Sequence, residues 1–231
     1  MIPPRVTIVG ARRIPAVGAS MVEASLIDAI ERCGQVNFAV AGGRTPERVY
    51  RRLADLPVPW ERVSLFFGDE RAVPPDDMRS NFRMVRAALL DHLPTSPRAV
   101  HRMEAERDDL ECAADEYADL LPDRLDLLLL GIGEDGHTAS LFPGSDVLRE
   151  QRRGVMPAEA PTPPRRLTIT PPVITAARKT LVIAVGARKA AAVQRAWMDD
   201  GSVQECPARL ARAGDWLLDR DAARHLSRVK A

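Results

Sequence analysis

The chain alternates short, continuously apolar runs with longer stretches in which apolar residues recur every three or four positions. A continuous apolar run is typical of a strand covered on both faces, and the longer spacing is typical of an amphipathic helix. Strands are predicted to begin near Arg5, Val36, Val63, Ala99, Leu125, Arg165, Thr180 and Asp215. Helical segments follow most of these strands, and the last strand is also expected to lead into a helix.

This regular alternation predicts a fold of the α/β class, Rossmann-like and doubly wound, with a mainly parallel sheet and helices on both faces. No internal repeat, low-complexity segment or linker divides the sequence. The proline-rich stretch at 157–166 is interpreted as a surface loop that leads into a strand. We therefore expect residues 1–231 to form a single domain.

Composition narrows the partners that the chain can have. The hydrophobic fraction of 45% and the charged fraction of 28% are typical of a soluble globular protein. A formal net charge of +1 gives no electrostatic basis for binding nucleic acid or an anionic membrane. The first residues do not read as a secretory signal, and no apolar run reaches the roughly 18 residues of a membrane span. We expect a cytoplasmic protein with no nucleic-acid, membrane or obligate protein partner.

The cysteines and histidines do not suggest a metal or a disulfide. Cys33, Cys112 and Cys206 are odd in number, far apart and outside any Cys-x-x-Cys pattern. Paired-histidine motifs of the kind that bind zinc are also missing from the sequence. The cysteines are therefore expected to be unpaired in a reducing compartment, and no metal is expected.

A glycine pattern after the fifth predicted strand raises the question of a nucleotide. Residues 131–136 spell Gly-x-Gly-x-x-Gly, but they lie late in the chain and lack the carboxylate expected about 20 residues further on. The same loop, residues 131–142 and here called the histidine loop, holds Asp135 and His137 where the strand is predicted to give way to a short helix. A neutral imidazole that a carboxylate orients at a strand tip is suited to general-base catalysis, although a structural histidine is the alternative.

Two further loops have features that suit a phosphate group. Gly42 and Gly43 end a predicted strand, and Thr45 is expected to cap the following helix, so free backbone N–H groups and the helix dipole would face one point. The side chains of Arg44 and Thr45 would add donors. Lys189 lies in the first turn of another helix, where a bound anion would offset its unfavourable interaction with the dipole. An ordinary tight turn and a solvated lysine are the alternatives.

A fourth loop follows the third predicted strand and holds Asp69, Glu70 and Arg71. These charges either orient a substrate or pair with one another, as surface charges often do. Ser80 is expected to cap the next helix. Ser140 in the histidine loop is interpreted as a packing or capping residue, because no Gly-x-Ser-x-Gly nucleophile motif surrounds it.

Five segments together resemble the 6-phosphogluconolactonase family, in the family's order and over essentially the whole chain. They are 41–46 (AGGRTP), 68–81 (GDERAVPPDDMRSN), 131–144 (GIGEDGHTASLFPG), 166–174 (RLTITPPVI) and 185–190 (VGARKA). The third of these is the most specific. The resemblance implies a fold shared with the glucosamine-6-phosphate isomerases and deaminases. It also implies a hydrolase that uses neither metal nor cofactor to open 6-phospho-D-glucono-1,5-lactone in the oxidative pentose phosphate pathway.

The resemblance also implies roles for ten residues. The catalytic set comprises Asp69, Arg71, Asp135 and His137. The substrate- and phosphate-binding set comprises Gly42, Gly43, Arg44, Thr45, Arg166 and Lys189. The family usually has serine where Arg44 stands, so the glycine amides are expected to matter more than that side chain. His137 would take a proton from water while Asp135 or Asp69 fixes its tautomer, and Arg71 would either stabilise the carbonyl oxygen or grip the phosphate.

Two other functions compete with this interpretation. The isomerase/deaminase enzymes that the fold resembles have a glutamate five residues after the histidine, where this chain has Phe142, and a phenyl ring cannot move a proton. A non-catalytic sugar-phosphate sensor would need an output module, and the sequence shows neither a helix-turn-helix segment nor a basic patch. Fold alone never decides between an enzyme and a sensor.

Overall fold

The computed structural model describes residues 6–198 and 200–226. Its strands are β1 (Val6–Val9), β2 (Val36–Val40), β3 (Val63–Phe67), β4 (Asp69–Arg71), β5 (Ala99–Val100), β6 (Leu127–Leu130), β7 (Val155–Ala158), β8 (Arg166–Ile169), β9 (Thr180–Ala184) and β10 (Asp215–Asp219). Its α-helices are α1 (Ile14–Cys33), α2 (Arg44–Leu53), α3 (Asn81–Ala88), α4 (Leu110–Leu120), α5 (Pro171–Ala176) and α6 (Ala190–Trp197). Short 3-10 turns lie at Ala11–Arg13, Trp60–Arg62, Leu90–His92, Asp146–Arg149, Ala187–Lys189 and Pro207–Ala211.

Seven parallel strands form the larger sheet in the order β1-β10-β9-β6-β2-β3-β5, which confirms the predicted fold class. Every residue of β3, β6 and β9 is buried, as expected for strands covered on both faces. After β2 the chain builds outward to β5, then returns to place β6 on the other side of β2. In such sheets, ligands bind at the carboxyl ends of the strands where the order reverses, which here is the crevice between β2 and β6.

A smaller antiparallel sheet, in the order β4-β8-β7, lies beside the carboxyl end of β3 and was not predicted. Gly68 joins the two sheets, because its N–H donates to Val40 O at 3.0 Å and its carbonyl accepts from Ile169 N at 3.0 Å. The interpretation of 157–166 as a surface loop is wrong at its start, since Pro157 and Ala158 belong to β7. Because β7 is an edge strand, a proline without an N–H is tolerated there.

Several predicted helix ends differ from the structure. Thr45 does not cap α2; Gly43 does, because its φ of 104° lets the chain turn directly from β2 into a helix that begins at Arg44. The cap at Ser80 is confirmed, with its Oγ accepting from Arg83 N at 3.1 Å. The helix expected after β10 is wrong over residues 220–225, which form turns. Within the described ranges, no helix is long and apolar enough to cross a membrane.

The short helix expected after β6 is also wrong. Thr138 Oγ1 donates to Gly131 O at 2.8 Å, and Thr138 forms an isolated bridge with Leu141. These contacts close the histidine loop on itself as a compact turn. Ala139 lies in this turn with a φ of 46°, in the left-handed region that residues with a Cβ rarely adopt. The loop is therefore held by side-chain and bridge contacts and not by a helical ladder.

Glu70 fixes the start of α3 to strand β4. Its carboxylate accepts hydrogen bonds from the backbone N–H groups of Arg71, Asn81 and Phe82, each at 2.7 Å, and from Ser80 Oγ at 3.0 Å. Burial raises the pKa of the Glu70 carboxyl, and these four hydrogen bonds oppose that effect. The contacts hold the residues on either side of Glu70 at the edge of the crevice.

Replacing Glu70 by glutamine should lower the free energy of unfolding by about 1–3 kcal/mol, because an amide NH₂ cannot accept from the N–H groups that one carboxylate oxygen now satisfies. Urea unfolding followed by circular dichroism measures this difference. Glu31→Gln, at an exposed position on α1, serves as the matched control and should leave stability unchanged. Equal stability of the Glu70 variant and the wild type would contradict this anchoring role.

Candidate active site

A cleft of about 680 Å³ opens at the carboxyl ends of β2, β6 and β9, beside the smaller sheet. All ten residues selected from the sequence line it. They are Gly42, Gly43, Arg44, Thr45, Asp69, Arg71, Asp135, His137, Arg166 and Lys189. Segments that lie up to 147 positions apart along the chain therefore meet at the switch point of the sheet. Their chemical roles follow from the contacts around each side chain.

The imidazole of His137 is oriented by Asp135. The Nδ1 atom of His137 lies 2.7 Å from Asp135 Oδ1, which also accepts from the backbone N–H of His137 at 3.1 Å. Burial alone would raise the pKa of the Asp135 carboxyl, but the hydrogen bonds and charge of His137 hold it below its usual value. A carboxylate at Nδ1 favours the neutral tautomer with its proton on Nδ1, which leaves Nε2 as a proton acceptor. Of the two carboxylates predicted to fix this tautomer, Asp135 contacts the imidazole, and Asp69 bonds instead to Ser140 and Asn81.

The second glycine of the Gly-x-Gly-x-x-Gly pattern lies directly against this pair. A Cβ atom at Gly133 would come within 2.1 Å of His137 Nδ1 and within 2.3 Å of Asp135 Oδ1. The glycine is thus required for the close approach of an imidazole and a carboxylate. Phe142 contacts the other side of the imidazole, with ring centroids 4.9 Å apart. The side chain of His137 remains 35% exposed, toward the cleft.

Asp69 is buried at the rim of the cleft, and each of its carboxylate oxygens has a partner. Ser140 Oγ donates to Oδ2 at 2.6 Å, and Asn81 Nδ2 donates to Oδ1 at 3.0 Å. Ser140, interpreted from the sequence as a packing or capping residue, is buried but caps none of the described helices, and its hydroxyl is committed to a carboxylate of another segment. Asn81 was not predicted as a site residue, because it follows the helix cap and nothing in the local sequence indicates a contact with the cleft.

The glycine loop, residues 41–45, is fixed from both sides. The Tyr50 hydroxyl accepts from Ala41 N at 2.9 Å and donates to Ala41 O at 2.8 Å. A Cβ atom at Gly42 would lie 2.0 Å from Asn81 Oδ1, so only glycine permits this approach. The first N–H groups of α2 have no partner within the helix and point toward the cleft end of the loop. Tyr50, whose pKa is raised by burial, was also missed from the sequence.

Lys189 and Arg44 give the glycine-loop end of the cleft a positive charge. Lys189 ends a 3-10 turn and is the N-cap residue of α6, directly before the first helical turn in which it was predicted. Burial lowers the pKa of the Lys189 ammonium, and the charges of Glu134 and Asp135 act against that shift. Arg188 and Arg44, which line the same cleft, lower it further. An anion bound here would relieve this repulsion.

A second pair of cations lies on the smaller sheet. Arg71 of β4 and Arg166 of β8 are directly opposite each other in the antiparallel register, an unfavourable arrangement for like charges. Burial lowers the pKa of Arg166, and the charge of Arg71 lowers it further while Asp69 raises it. The Arg71 Nε is buried and has no hydrogen-bond partner among the described residues. The cleft therefore offers two pairs of cationic side chains, on the glycine-loop side and on the smaller sheet, with His137 in its lining.

Metal ligands and disulfides play no visible part in the described structure. No group of three or more His, Cys, Asp or Glu side chains within residues 6–198 and 200–226 is placed to hold a metal ion. The three cysteines are unpaired, with Cys33 exposed and Cys206 buried. Cys206 packs beneath the histidine loop, where its Sγ lies 3.9 Å from Gly136 O.

Fold and cleft together define an α/β protein of the doubly wound class with a charged cleft at the switch point of its sheet. The sequence model described as glucosamine-6-phosphate isomerases/6-phosphogluconolactonase matches residues 12–218, and the chain belongs to this family. A protein named 6-phosphogluconolactonase from Synechocystis sp. is 36% identical over 218 residues, which cover 89% of this chain and 90% of that protein. One of the same name from Rattus norvegicus is 38% identical over 212 residues, covering 84% and 82%. The solved 6-phosphogluconolactonase from Trypanosoma cruzi superposes with a TM-score of 0.84 at 26% identity, covering 97% of each chain.

Replacing Gly133 by alanine should break the hydrogen bond between Asp135 and His137, because the added Cβ cannot share space with either group. Proton and ¹⁵N NMR of the imidazole measures this directly, and the Nδ1–H signal should shift upfield or disappear. Gly10→Ala is the matched control, since a Cβ at Gly10 meets nothing within 4 Å. An unchanged Nδ1–H signal in the Gly133 variant would show that the pair does not need this glycine.

Proposed function

We propose that this chain hydrolyses 6-phospho-D-glucono-1,5-lactone to 6-phospho-D-gluconate, with His137 as the general base. The observation that carries this proposal is the imidazole that Asp135 orients in a cleft lined by two pairs of cationic side chains. Relatives that cover most of the chain and are named 6-phosphogluconolactonase support the same reaction. A lactone is already an activated ester, so water can serve as the nucleophile without an acyl-enzyme intermediate.

The phosphate of the substrate would bind at the glycine-loop end of the cleft. The backbone N–H groups after Gly42 and Gly43 and the amino end of α2 suit an anion. Lys189 and Arg44 add positive charge at the same end, and an anion would stabilise the partly buried ammonium of Lys189. Because Tyr50 and Asn81 hold the loop in place, the phosphate would fix where the lactone ring lies.

In the chemical step, His137 Nε2 takes a proton from a water molecule as the water oxygen bonds to C1 of the lactone. Negative charge develops on the carbonyl oxygen, and the cationic pair of Arg71 and Arg166 favours that charge. The bond between C1 and the ring oxygen then breaks, and the protonated imidazole returns its proton to the ring oxygen, which becomes the C5 hydroxyl. The new carboxylic acid loses its own proton to solvent. Asp135 keeps the imidazole in the tautomer that accepts at Nε2 throughout.

The isomerase and deaminase activities of the same family are less compatible with this cleft. The position of the glutamate expected for those activities is occupied by Phe142, whose ring packs 4.9 Å from the imidazole. A phenyl ring cannot exchange a proton with a sugar carbon, so it leaves His137 suited to water activation. Ammonia released from glucosamine 6-phosphate by the wild-type protein would favour the deaminase instead.

We further propose that the chain works as one domain in the cytoplasm, without a metal, a cofactor, nucleic acid, a membrane or an obligate protein partner. The net charge of +1 supports the absence of a polyanionic partner. No described helix suits a membrane, and no described side-chain cluster suits a metal ion.

The wild-type protein should hydrolyse freshly generated 6-phosphogluconolactone faster than its spontaneous opening, and His137→Gln should lower kcat by roughly 10²–10⁴-fold with little change in KM. The reason is that glutamine cannot accept a proton from water. Initial rates of acid release in a pH-stat measure both constants. His92→Gln, at an exposed position far from the cleft, is the control. Wild-type kcat in the His137 variant would remove the general-base assignment.

Lys189→Gln should raise KM for the phosphorylated lactone by roughly tenfold or more, because a charge-assisted contact with the phosphate is lost. Its kcat should change little, and its rate with unphosphorylated glucono-1,5-lactone should equal that of the wild type. Lys179→Gln is the matched control, since that lysine pairs with Asp215 at 3.5 Å and does not line the cleft. An equal KM in wild type and the Lys189 variant would place the phosphate elsewhere.

A further inference from the structure

The hydrogen bonds around Asp69 connect three parts of the active site. Asp69 is 9% exposed, and its two partners, Ser140 and Asn81, are each 2% exposed. Ser140 Oγ donates to one carboxylate oxygen at 2.6 Å, and Asn81 Nδ2 donates to the other at 3.0 Å. Asn81 Nδ2 also donates to the backbone carbonyl of Asp69 at 2.9 Å. Hydrogen bonds to a carboxylate are stronger than neutral ones, and burial shields these from water.

Asp69, Ser140 and Asn81 belong to three different segments of the active site. Ser140 lies in the histidine loop, three positions after His137. Asn81 begins α3, and its Oδ1 lies so close to Gly42 that no side chain fits between them. Asp69 therefore joins the loop that holds the imidazole to the loop proposed to hold the phosphate.

The histidine loop needs such an attachment because its own backbone is strained. Ala139, with a φ of 46°, lies between Thr138 and Ser140. A residue with a Cβ remains in this region only when its surroundings fix it there. The Ser140 hydroxyl is tied to Asp69, and the Ser140 N–H donates to Thr168 Oγ1 of β8 at 3.2 Å. Both contacts are made to the smaller sheet, so that sheet fixes the loop.

We propose that Ser140 and Asn81 are positioning residues for the proposed hydrolysis, and that they act through Asp69. They hold the buried Asp69 side chain in place, and its hydrogen bonds set the position of the histidine loop, and so of the imidazole, relative to the loop proposed to hold the phosphate. Asp69 consequently serves as an anchor between the loops and does not exchange a proton with the substrate. This inference rests on the proposed lactonase reaction.

Ser140→Ala should lower kcat for 6-phosphogluconolactone by roughly 10- to 100-fold, because a small displacement of the base is costly to the chemical step. KM and the inhibition constant of the product, 6-phosphogluconate, should stay within about twofold of wild type, since the phosphate-binding groups remain. Ser140→Cys, which keeps a weak donor of similar size, should give an intermediate kcat. Ser96→Ala, at an exposed serine far from the cleft, is the control.

A double variant separates anchoring from direct catalysis. If Ser140 acts only through Asp69, then Ser140→Ala combined with Asp69→Asn should lose no more activity than Asp69→Asn alone. Rates should be measured well below the melting temperature of each variant, so that unfolding does not contribute. If the double variant lost activity by the product of the two single losses, or if Ser140→Ala kept wild-type kcat, the inference would be overturned. The lactonase activity of the wild-type protein would be unaffected by either result. A wild-type protein that does not hydrolyse the lactone would overturn the proposed function and this inference together.

Discussion

The parallel pairing of β2 with β6 is the constraint on which the site depends. Along the chain, two other strands of the larger sheet, β3 and β5, lie between β2 and β6. In the sheet, however, Phe38 and Ala39 of β2 pair directly with Leu127 and Leu128 of β6. The pairing puts the glycine loop and the histidine loop side by side at one edge. Parallel strands expose all their carboxyl ends at that edge, so the groups proposed to bind phosphate and to accept a proton converge without any loop crossing the core.

Gly42 and Gly133 are required because other side chains pack directly against their Cα atoms, and not because the backbone there needs a conformation open only to glycine. A Cβ atom at Gly42 would lie 2.0 Å from Asn81 Oδ1, and one at Gly133 would lie 2.1 Å from His137 Nδ1, both far shorter than a van der Waals contact. At each position a polar side chain occupies the space that a methyl group would need. The Gly-x-Gly-x-x-Gly pattern therefore has a physical meaning here that differs from a pyrophosphate cradle, because one of its glycines makes room for the Asp135–His137 pair.

The strands of the larger sheet and many of the residues that line the cleft could be predicted from the sequence. Buried parallel strands give continuous apolar runs, and the residues that follow such strands meet at one edge. These loops and the family resemblance together selected ten cleft residues, of which Arg166, the first residue of β8, came from the resemblance alone. The smaller sheet was missed although its β8 was predicted as a strand near Arg165, because its other two strands were not recognised. The charged three-residue β4 and the proline-containing β7 have no apolar period that distinguishes them from a loop.

The side-chain pairs of the site could not be predicted for a different reason. Ser140 and Asp69 are 71 positions apart, and Tyr50 and Ala41 are nine apart across a turn whose shape depends on Gly43. Such contacts depend on how loops pack, and neither residue type nor spacing encodes them. The cap was assigned to Thr45 because threonine is a common cap, but a glycine with positive φ allowed the helix to begin earlier.

Charge in this protein is arranged locally, and the net value of +1 conceals that arrangement. Carboxylates at the cleft are already engaged: Asp135 with His137, Asp69 with Ser140 and Asn81, and Glu134 with Arg188. The cations Arg71, Arg166 and Lys189 lack such partners among the described ion pairs and are partly buried. Like charges placed near one another repel, and an anion bound between them would relieve that repulsion. Under the proposed function, the partial burial of these cations therefore favours a ligand with a phosphate, and binding this ligand would bring the lactone carbonyl into the cleft that His137 lines.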